Sequence, residues 1–468
     1  MIPARNGADV LSLREKKTIH RNALRILAEV GLQIEHAEMR DALAAYGLTV
    51  DSSKQRVYFP TDLVEAYLAG CPRIDWSTRV PELSVTMPTF IGYYLDPDSG
   101  EYREWTPELL DRYWTLARNL PEVQGMSMLG CAINVPAAVE PLYERFYCWK
   151  YGAYPGGTLH PFSSAEAIWD LTQAYAELKG KTPAEVFTGC CFMMSPLRFA
   201  AEEAKQFWYW AQRGMKVSLS NMTTAGLTAP ATIAGQVTLH AAEKIAIYII
   251  RHALYGTQEF YLMTAMAPAD MRSAGRPCAR PESAIANMMM ASMARWYGVG
   301  TYGQSGMTDA KEPSQEVAAQ RMMGALANLL AGADATFHIG QLSTDYVFSP
   351  LQAVLDNEYA GALQRFRKSF AVTDESIGVE MIKEVGPGGL YIDHQHTLDH
   401  FRDEFWHPDI WQRDQFNAWD IAGRKSDVAI ALDRYHAIMD NPKPGNQFTE
   451  EEERTLLAII HKSGKLIV

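Results

Sequence analysis

The chain has 468 residues, 47% of them hydrophobic, which is enough for a large buried core and long for one domain unless that domain is a barrel with additions. A formal charge of -12, from 43 basic and 55 acidic side chains, argues against nucleic acid or an anionic membrane as the main partner. No apolar run approaches the ~20 residues that span a bilayer, and the polar stretch 1–17 has no signal core, so a cytoplasmic location is expected.

From the N-terminus, Ser12 and Glu15 read as a capping box opening an amphipathic helix, with Ile19, Leu24, Leu27 and Val30 at helical spacing. A second helix, a short strand around 56–59 and a helix from Thr61 complete an N-terminal extension, residues 1–87. Between 88 and 370, strand-like runs alternate with helical patterns. The runs lie near 90–95, 125–133, 157–162, 186–194, 216–220, 259–265, 300–304 and 335–339. Gly152, Gly180, Gly214, Gly256, Gly298 and Gly332 each follow a helical pattern, 28 to 42 residues apart, where a helix stops on a left-handed residue. Thr106 with Pro107, and Ser163 with Glu166, mark helix starts. Repeated βα units of this length predict an α/β fold, a (β/α)8 TIM barrel. A doubly wound open sheet is the alternative, weakened because no G-x-G-x-x-G opens a helix. Residues 371–468 read as a C-terminal helical extension. Its aromatics Phe401, Phe405, Trp406, Trp411, Phe416 and Trp419 are expected to pack against the barrel. Thr449 and Glu452 cap a last helix whose apolar face suits docking on a partner subunit.

In a barrel the chemistry sits at strand C-termini and the loops after them. The densest such stretch is Gly303 to Lys311. There Gln304, Met307, Asp309 and Lys311 crowd a strand-to-helix turn, between a strand run at 299–302 and a helix over 316–331. Ser314 and Asp309 also suit the cap and dipole of that helix. The other strand ends carry Tyr94, Asn134, His160, Met194, Asn221, Met222 and His338, with Gln341, Tyr346 and Phe348 just beyond the last. Together these positions nominate Tyr94, His160, Asn221, Gln304, Met307, Asp309, Lys311, His338, Gln341, Tyr346 and Phe348 as substrate-binding. No nucleophile stands beside a base, and no phosphate cradle is evident. The six cysteines form no C-x-x-C pair, so neither a disulfide framework nor a structural zinc is expected. His394, His396 and His400 lie away from any strand end and read as a polar helix start. An aromatic, amidic mouth with few charges suits a quaternary ammonium, each ring contact contributing about 0.5–2 kcal/mol. A carboxylate on the same ligand would fall to Lys311, His338 or Asn221.

Three segments carry a family resemblance. They are GMTDAKEPSQ (306–315), AGLTAPATIAG (225–235) and MIKEVGPGGLYIDHQHTLDHFRDEFWHP (381–408), joined by IHRNALRILAEVGLQIEH (19–36) at the N-terminus. The chain resembles the trimethylamine methyltransferase superfamily over nearly its whole length. The resemblance implies a (β/α)8 barrel that moves a methyl group from a methylated amine to the cobalt of a corrinoid, or cobalamin, carried by a small partner protein. Cobalt is then the nucleophile, so no catalytic residue of the chain and no directly bound metal is implied. Only standard residues occur, which places the chain in the branch without pyrrolysine, similar to glycine betaine methyltransferases. Ser314 replaces the family's aspartate. The expected partners are a corrinoid protein, a small quaternary amine and further copies of the chain. The alternatives are a non-catalytic betaine-binding or sensor protein and, last, a zinc-dependent methyltransferase.

Overall fold

The computed structural model describes residues 8–467, except 91, 130–132, 134, 369, 443 and 444. Asn134 and Cys131 therefore lie outside the described residues. Parallel strands β1 (Leu83–Phe90), β2 (Gly125–Leu129), β3 (Tyr154–Pro155), β4 (Cys190–Met193), β5 (Ser218–Asn221), β6 (Tyr261–Thr264), β7 (Gly300–Gln304) and β8 (Asp334–His338) follow one another along the chain. Each leads to a helix: α1 (Pro107–Asn119), α2 (Glu140–Lys150), α3 (Ala165–Leu178), α4 (Ala201–Gln212), α5 (Ile233–Tyr255), α6 (Pro281–Tyr297), α7 (Gln315–Ala331) and α8 (Pro350–Arg367).

Six strands form one parallel sheet in the order β6-β7-β8-β1-β2-β3. β4 and β5 pair with each other, Cys190 opposite Ser218. Two narrow joints connect them to the six. Cys190 N donates to Gly157 O at 2.8 Å, just past β3. Thr223–Ala225, beyond β5, pairs with Met266–Pro268, beyond β6. The α/β alternation is thus present as a half-barrel parallel sheet beside a two-stranded ladder, and these ladders alone do not complete the expected (β/α)8 cylinder.

Local signals explain the frame. All six helix-stop glycines have positive φ, between 62° and 77°. Thr106 caps α1 by accepting from Leu109 N at 3.3 Å. Two strands differ from expectation. The first is Leu83–Phe90; the run expected at 90–95 contributes only Tyr93–Leu95, which pairs antiparallel with Tyr102–Glu104 outside the sheet. The third is Tyr154–Pro155, ahead of 157–162, with Gly156 N still donating to Met128 O at 3.0 Å just past it. Nor does a box form at Ser163 and Glu166. Phe162–Ser164 makes a 3₁₀ turn, and Ser164 Oγ donates instead to Ala138 O at 2.6 Å.

The flanks are fastened to this frame. In the N-terminal extension the Ser12–Glu15 box opens Leu13–Arg25, and Ile19, Leu24 and Leu27 are buried. Val30 is exposed because Ile26–Val30 winds as a wider π turn, which rotates it off the apolar face. Leu32–Ile34 pairs with Arg56–Tyr58 and, in parallel, with Arg198–Phe199 after β4. The boundary expected at 87 falls inside β1. One core joins this extension to α3–α6 through Leu27, Phe207, Trp210 and Ile245. A second gathers β1, β8, α1, α8 and the helix Asp427–Asp440 around Trp114, Phe337, Leu363 and Tyr435. The last helix, Glu450–Ile467, has its Thr449–Glu452 box and packs one face on its own chain. Leu456 and Ile460 are buried, and Lys150 pairs with Glu453 at 2.8 Å. Phe405, Trp411 and Phe416 remain exposed instead of packing inward.

Candidate functional site

The stretch after β7 is fastened by its own polar groups. Asp309 Oδ1 accepts from Cys278 N at 2.9 Å and from Thr344 Oγ1 at 3.1 Å, and Oδ2 accepts from Ala279 N at 3.2 Å. One carboxylate thus ties the loops after β6, β7 and β8, rather than serving the dipole of α7. Gln320, one turn into α7, accepts from Thr308 Oγ1 at 2.7 Å and Asp309 N at 2.8 Å. Ser314 occupies the cap position without a side-chain bond. Lys311 is exposed and donates to Asp309 O at 2.6 Å, so the two side chains form no ion pair. Met307 is buried, and its sulfur lies 3.6 Å from Gln304 Nε2. Gly306 has φ 81°, and a Cβ there would collide with the backbone of Phe337 and His338. This closeness holds the loop against the end of β8.

His338 ends β8, with Nδ1 2.9 Å from Thr86 Oγ1 on β1. Burial, then the nearby Arg321 guanidinium, pulls its pKa down to about 4, so the ring is neutral at pH 7. Arg321 comes from α7, is fully buried, and donates to the carbonyls of Gly306, His338 and Gln341. Its counter-ion is Asp356 on α8, at 3.2 Å, which also accepts from Gly340 N and Gln352 Nε2, each at 2.8 Å. A charge pair inside the protein therefore clamps the ends of β7 and β8. Gln341 is buried, and its side-chain amide has no partner among the described residues.

The aromatic candidates divide. Tyr94 and Phe348 are buried with Trp105 and Tyr113 in a closed ring cluster, and Tyr94 Oη lies 3.3 Å from Tyr435 Oη. They are packing, not an open cage. Tyr346 is exposed, edge-on to Tyr93 at 5.6 Å, and Tyr93 continues to Tyr102. On β4 the alternation is plain: Cys191 and Met193 enter the core under the helices, while Phe192, 44% exposed, and Met194 project from the other face. Met222 is exposed past β5. His160 is half-buried in the loop after β3.

Asn221 points away from this surface, into a polar cluster on α5. Its Nδ2 lies 2.7 Å from Glu243 Oε2 and 3.2 Å from His240 Nδ1. Glu243 also accepts from Ser195 Oγ at 2.7 Å and Leu197 N at 2.8 Å. Burial raises the Glu243 pKa against those hydrogen bonds, and burial lowers His240 to about 3 and Lys244 to about 8. Sequence reasoning missed this cluster. The available signal was His240, Glu243 and Lys244 interrupting an otherwise apolar stretch of helix. Burial lifts the Cys190 thiol to about 11 and raises that of Cys278, so neither is a ready thiolate. Among the described residues no three His, Cys, Asp or Glu side chains group as a metal site would.

A family model described as trimethylamine methyltransferase matches residues 3–464. The chain belongs to the trimethylamine methyltransferase family. A glycine betaine methyltransferase from Desulfitobacterium hafniense (strain Y51) is 26% identical, covering 98% of this chain and 97% of the relative. Trimethylamine methyltransferases of Desulfitobacterium hafniense (strain DSM 10664 / DCB-2) and Methanosarcina barkeri (strain Fusaro / DSM 804) are 22% and 24% identical. They cover 98% and 94% of this chain, and 94% and 92% of the relatives. The solved Methanosarcina barkeri monomethylamine methyltransferase aligns over 91% of this chain and 92% of its own, at 11% identity and TM-score 0.48. This family member is a methyltransferase, as its sequence resemblance implied.

Proposed function

We propose that this methyltransferase takes a methyl group from a glycine betaine-like quaternary amine and delivers it to the corrinoid of a partner protein. The strands would close as a (β/α)8 barrel running from the start of β1 at Leu83 to roughly residue 370 between two helical extensions, with the site at their C-terminal edge. The observation that carries the reading is His338: neutral, at a strand end, and clamped from behind by Arg321. Assigning the Thr86 hydroxyl as donor to Nδ1 leaves the proton on Nε2, free to donate to a substrate carboxylate. Of the three groups suited to that carboxylate, Asn221 is engaged by Glu243, and Lys311 is turned to its own loop. The ammonium would lie against exposed rings and thioethers such as Phe192, Tyr346 and Met194.

The missing nucleophile fits this chemistry. A corrinoid supplies a cobalt(I) nucleophile, and a quaternary ammonium leaves as a neutral tertiary amine without needing a proton. The chain's task is to hold the N–CH3 bond in line and exclude water. Glycine betaine, proline betaine and carnitine should be assayed as methyl donors to cob(I)alamin under strong reduction, with trimethylamine as the control. Turnover with a betaine is expected; transfer from trimethylamine alone would reverse the substrate assignment.

A further inference from the structure

We infer that Arg276 is the cationic half of the substrate site, holding the carboxylate of an ammonium carboxylate and so discriminating against cations that lack the acid group. The identity of the ligand rests on the proposed function; the unmatched charge does not. Arg276 lies in the loop between β6 and α6 and is half-buried. Its Nη2 donates to Ala265 O, the first carbonyl past β6, at 3.0 Å. Along β6 the buried Leu262 and Thr264 alternate with the half-buried Met263 and Ala265, so Ala265 belongs to the strand face turned away from the helices. The guanidinium therefore sits at the C-terminal edge of the strands, the edge that carries His338.

This charge is short of partners. Besides the bond to Ala265, the guanidinium makes one other among the described residues, from Nη1 to Cys278 Sγ at 3.0 Å. A thiol sulfur is a weak acceptor, which a carboxylate oxygen readily displaces. Nε is buried without a partner. The acids of the neighbouring loops are engaged elsewhere. Asp270 accepts from Arg272 N at 2.9 Å and lies 3.7 Å from Arg280, while Asp309 holds Cys278 N, Ala279 N and Thr344. Of the other cations here, Arg321 is matched by Asp356, and Lys311 is exposed and turned to its own loop. Among the described residues, Arg276 is thus a half-buried cation at the strand ends with no carboxylate in ion-pairing distance.

Its place suits a ligand shared with His338. β6 and β8 flank β7 in one sheet, and with neighbouring strands about 4.8 Å apart their ends stand about 10 Å from each other. Asp309 ties the two loops together, binding Cys278 N and Ala279 N just past Arg276 and Thr344 just past β8. The charge is felt on both sides. Burial raises the Asp345 carboxyl beyond β8, and Arg276 opposes that rise. Burial and then Lys244 depress His240, whose Nε2 lies 3.0 Å from Met263 O on β6, and Arg276 adds to the effect. The need for a cation follows from His338 itself. A neutral imidazole offers a carboxylate one hydrogen bond and no charge, which leaves most of the cost of desolvating the anion uncompensated. A guanidinium supplies both the charge and a fork that fits two oxygens.

The test is calorimetric titration of the full chain with glycine betaine and with choline, which keeps the trimethylammonium head and lacks the carboxylate. Wild type should bind glycine betaine more tightly than choline. Arg276→Met, with unchanged far-UV circular dichroism, should lose about tenfold or more of the betaine affinity and leave choline binding within about twofold; Arg276→Lys, which keeps the charge but not the fork, should fall between. A wild type that binds the two ligands equally, a variant that keeps its betaine affinity, or an equal loss for both ligands overturns the inference and leaves Arg276 a strut of its loop. Should Arg276→Met misfold, Arg276→Gln decides on the same terms. Methyl transfer to cob(I)alamin is read separately. A chain that binds betaine through Arg276 without turning it over fails the functional proposal and leaves this one standing, whereas turnover with an unchanged KM in Arg276→Met does the reverse.

Discussion

The loops after β7 and β8 and the excursion over 370–402 are both stretches beyond the sheet, built on opposite terms. In the first, Arg321 holds three carbonyls and Asp356, Asp309 holds two loop amides and Thr344, and Gln320 holds Thr308. In the second, helices form but bury nothing. Buried polar ties fix geometry because displacing either partner leaves an unsatisfied group. Bare apolar surface fixes nothing inside one chain and gains its energy only against another surface. Order at the site edge comes from ties within the chain, whereas the short helices of the excursion hold their shape with no buried side chain of their own.

The largest expected effect tests the first half of that contrast. Arg321→Met strands Asp356 and should cost about 3–5 kcal/mol in chemical denaturation, with part recovered in Arg321→Met/Asp356→Leu. If the single variant is as stable as wild type, the clamp is not what orders the edge. Next comes pH. An unfolded histidine gains its proton near pH 6.5, whereas His338 and His240 resist until about 4 and about 3. Their folded pKa values are depressed, so the unfolded state binds more protons and stability falls as pH drops from about 6.5 toward those values. The slope is at most about 1.4 kcal/mol per pH unit for each histidine. His240→Gln should flatten it, as read from denaturation midpoints between pH 4 and 7. Smaller still, Asp309→Ala should cost about 1–3 kcal/mol and speed amide exchange at Cys278 and Ala279. Tyr346→Ala should leave stability alone and weaken quaternary amine binding by about 0.5–2 kcal/mol in calorimetry.

Much of the frame was legible in the sequence because its signals are local. A glycine that must be left-handed after a helix, or a hydroxyl three residues before a glutamate, depends less on tertiary context; Gly256, Gly298 and Thr449 behave as expected, and Ser163 with Glu166 is the exception. Pairing is not local. Tyr93–Leu95 has strand character and is a strand, but its partners, Tyr102–Glu104 and Val347–Phe348, lie outside the six-stranded sheet, so the first strand was misplaced. The site was half legible for the same reason. His338 and the β7 loop follow from the alternation of strand and helix, but whether a side chain at a strand end faces ligand or helix depends on partners distant in sequence. Asn221 turns to Glu243, and Tyr94 to Tyr435 across the C-terminal extension. Arg321 and Asp356 read as ordinary helix-surface charges until their burial is seen.

The central claim is that a neutral His338 holds the carboxylate of a betaine at the strand ends. It is tested most directly by glycine betaine-dependent methylation of cob(I)alamin, followed by its absorbance, for wild type and His338→Gln side by side. Loss of a charge-assisted hydrogen bond of about 1.5–3 kcal/mol predicts a KM raised tenfold or more in the variant. Equal KM values for the two proteins, or no transfer by the wild type, would contradict the account.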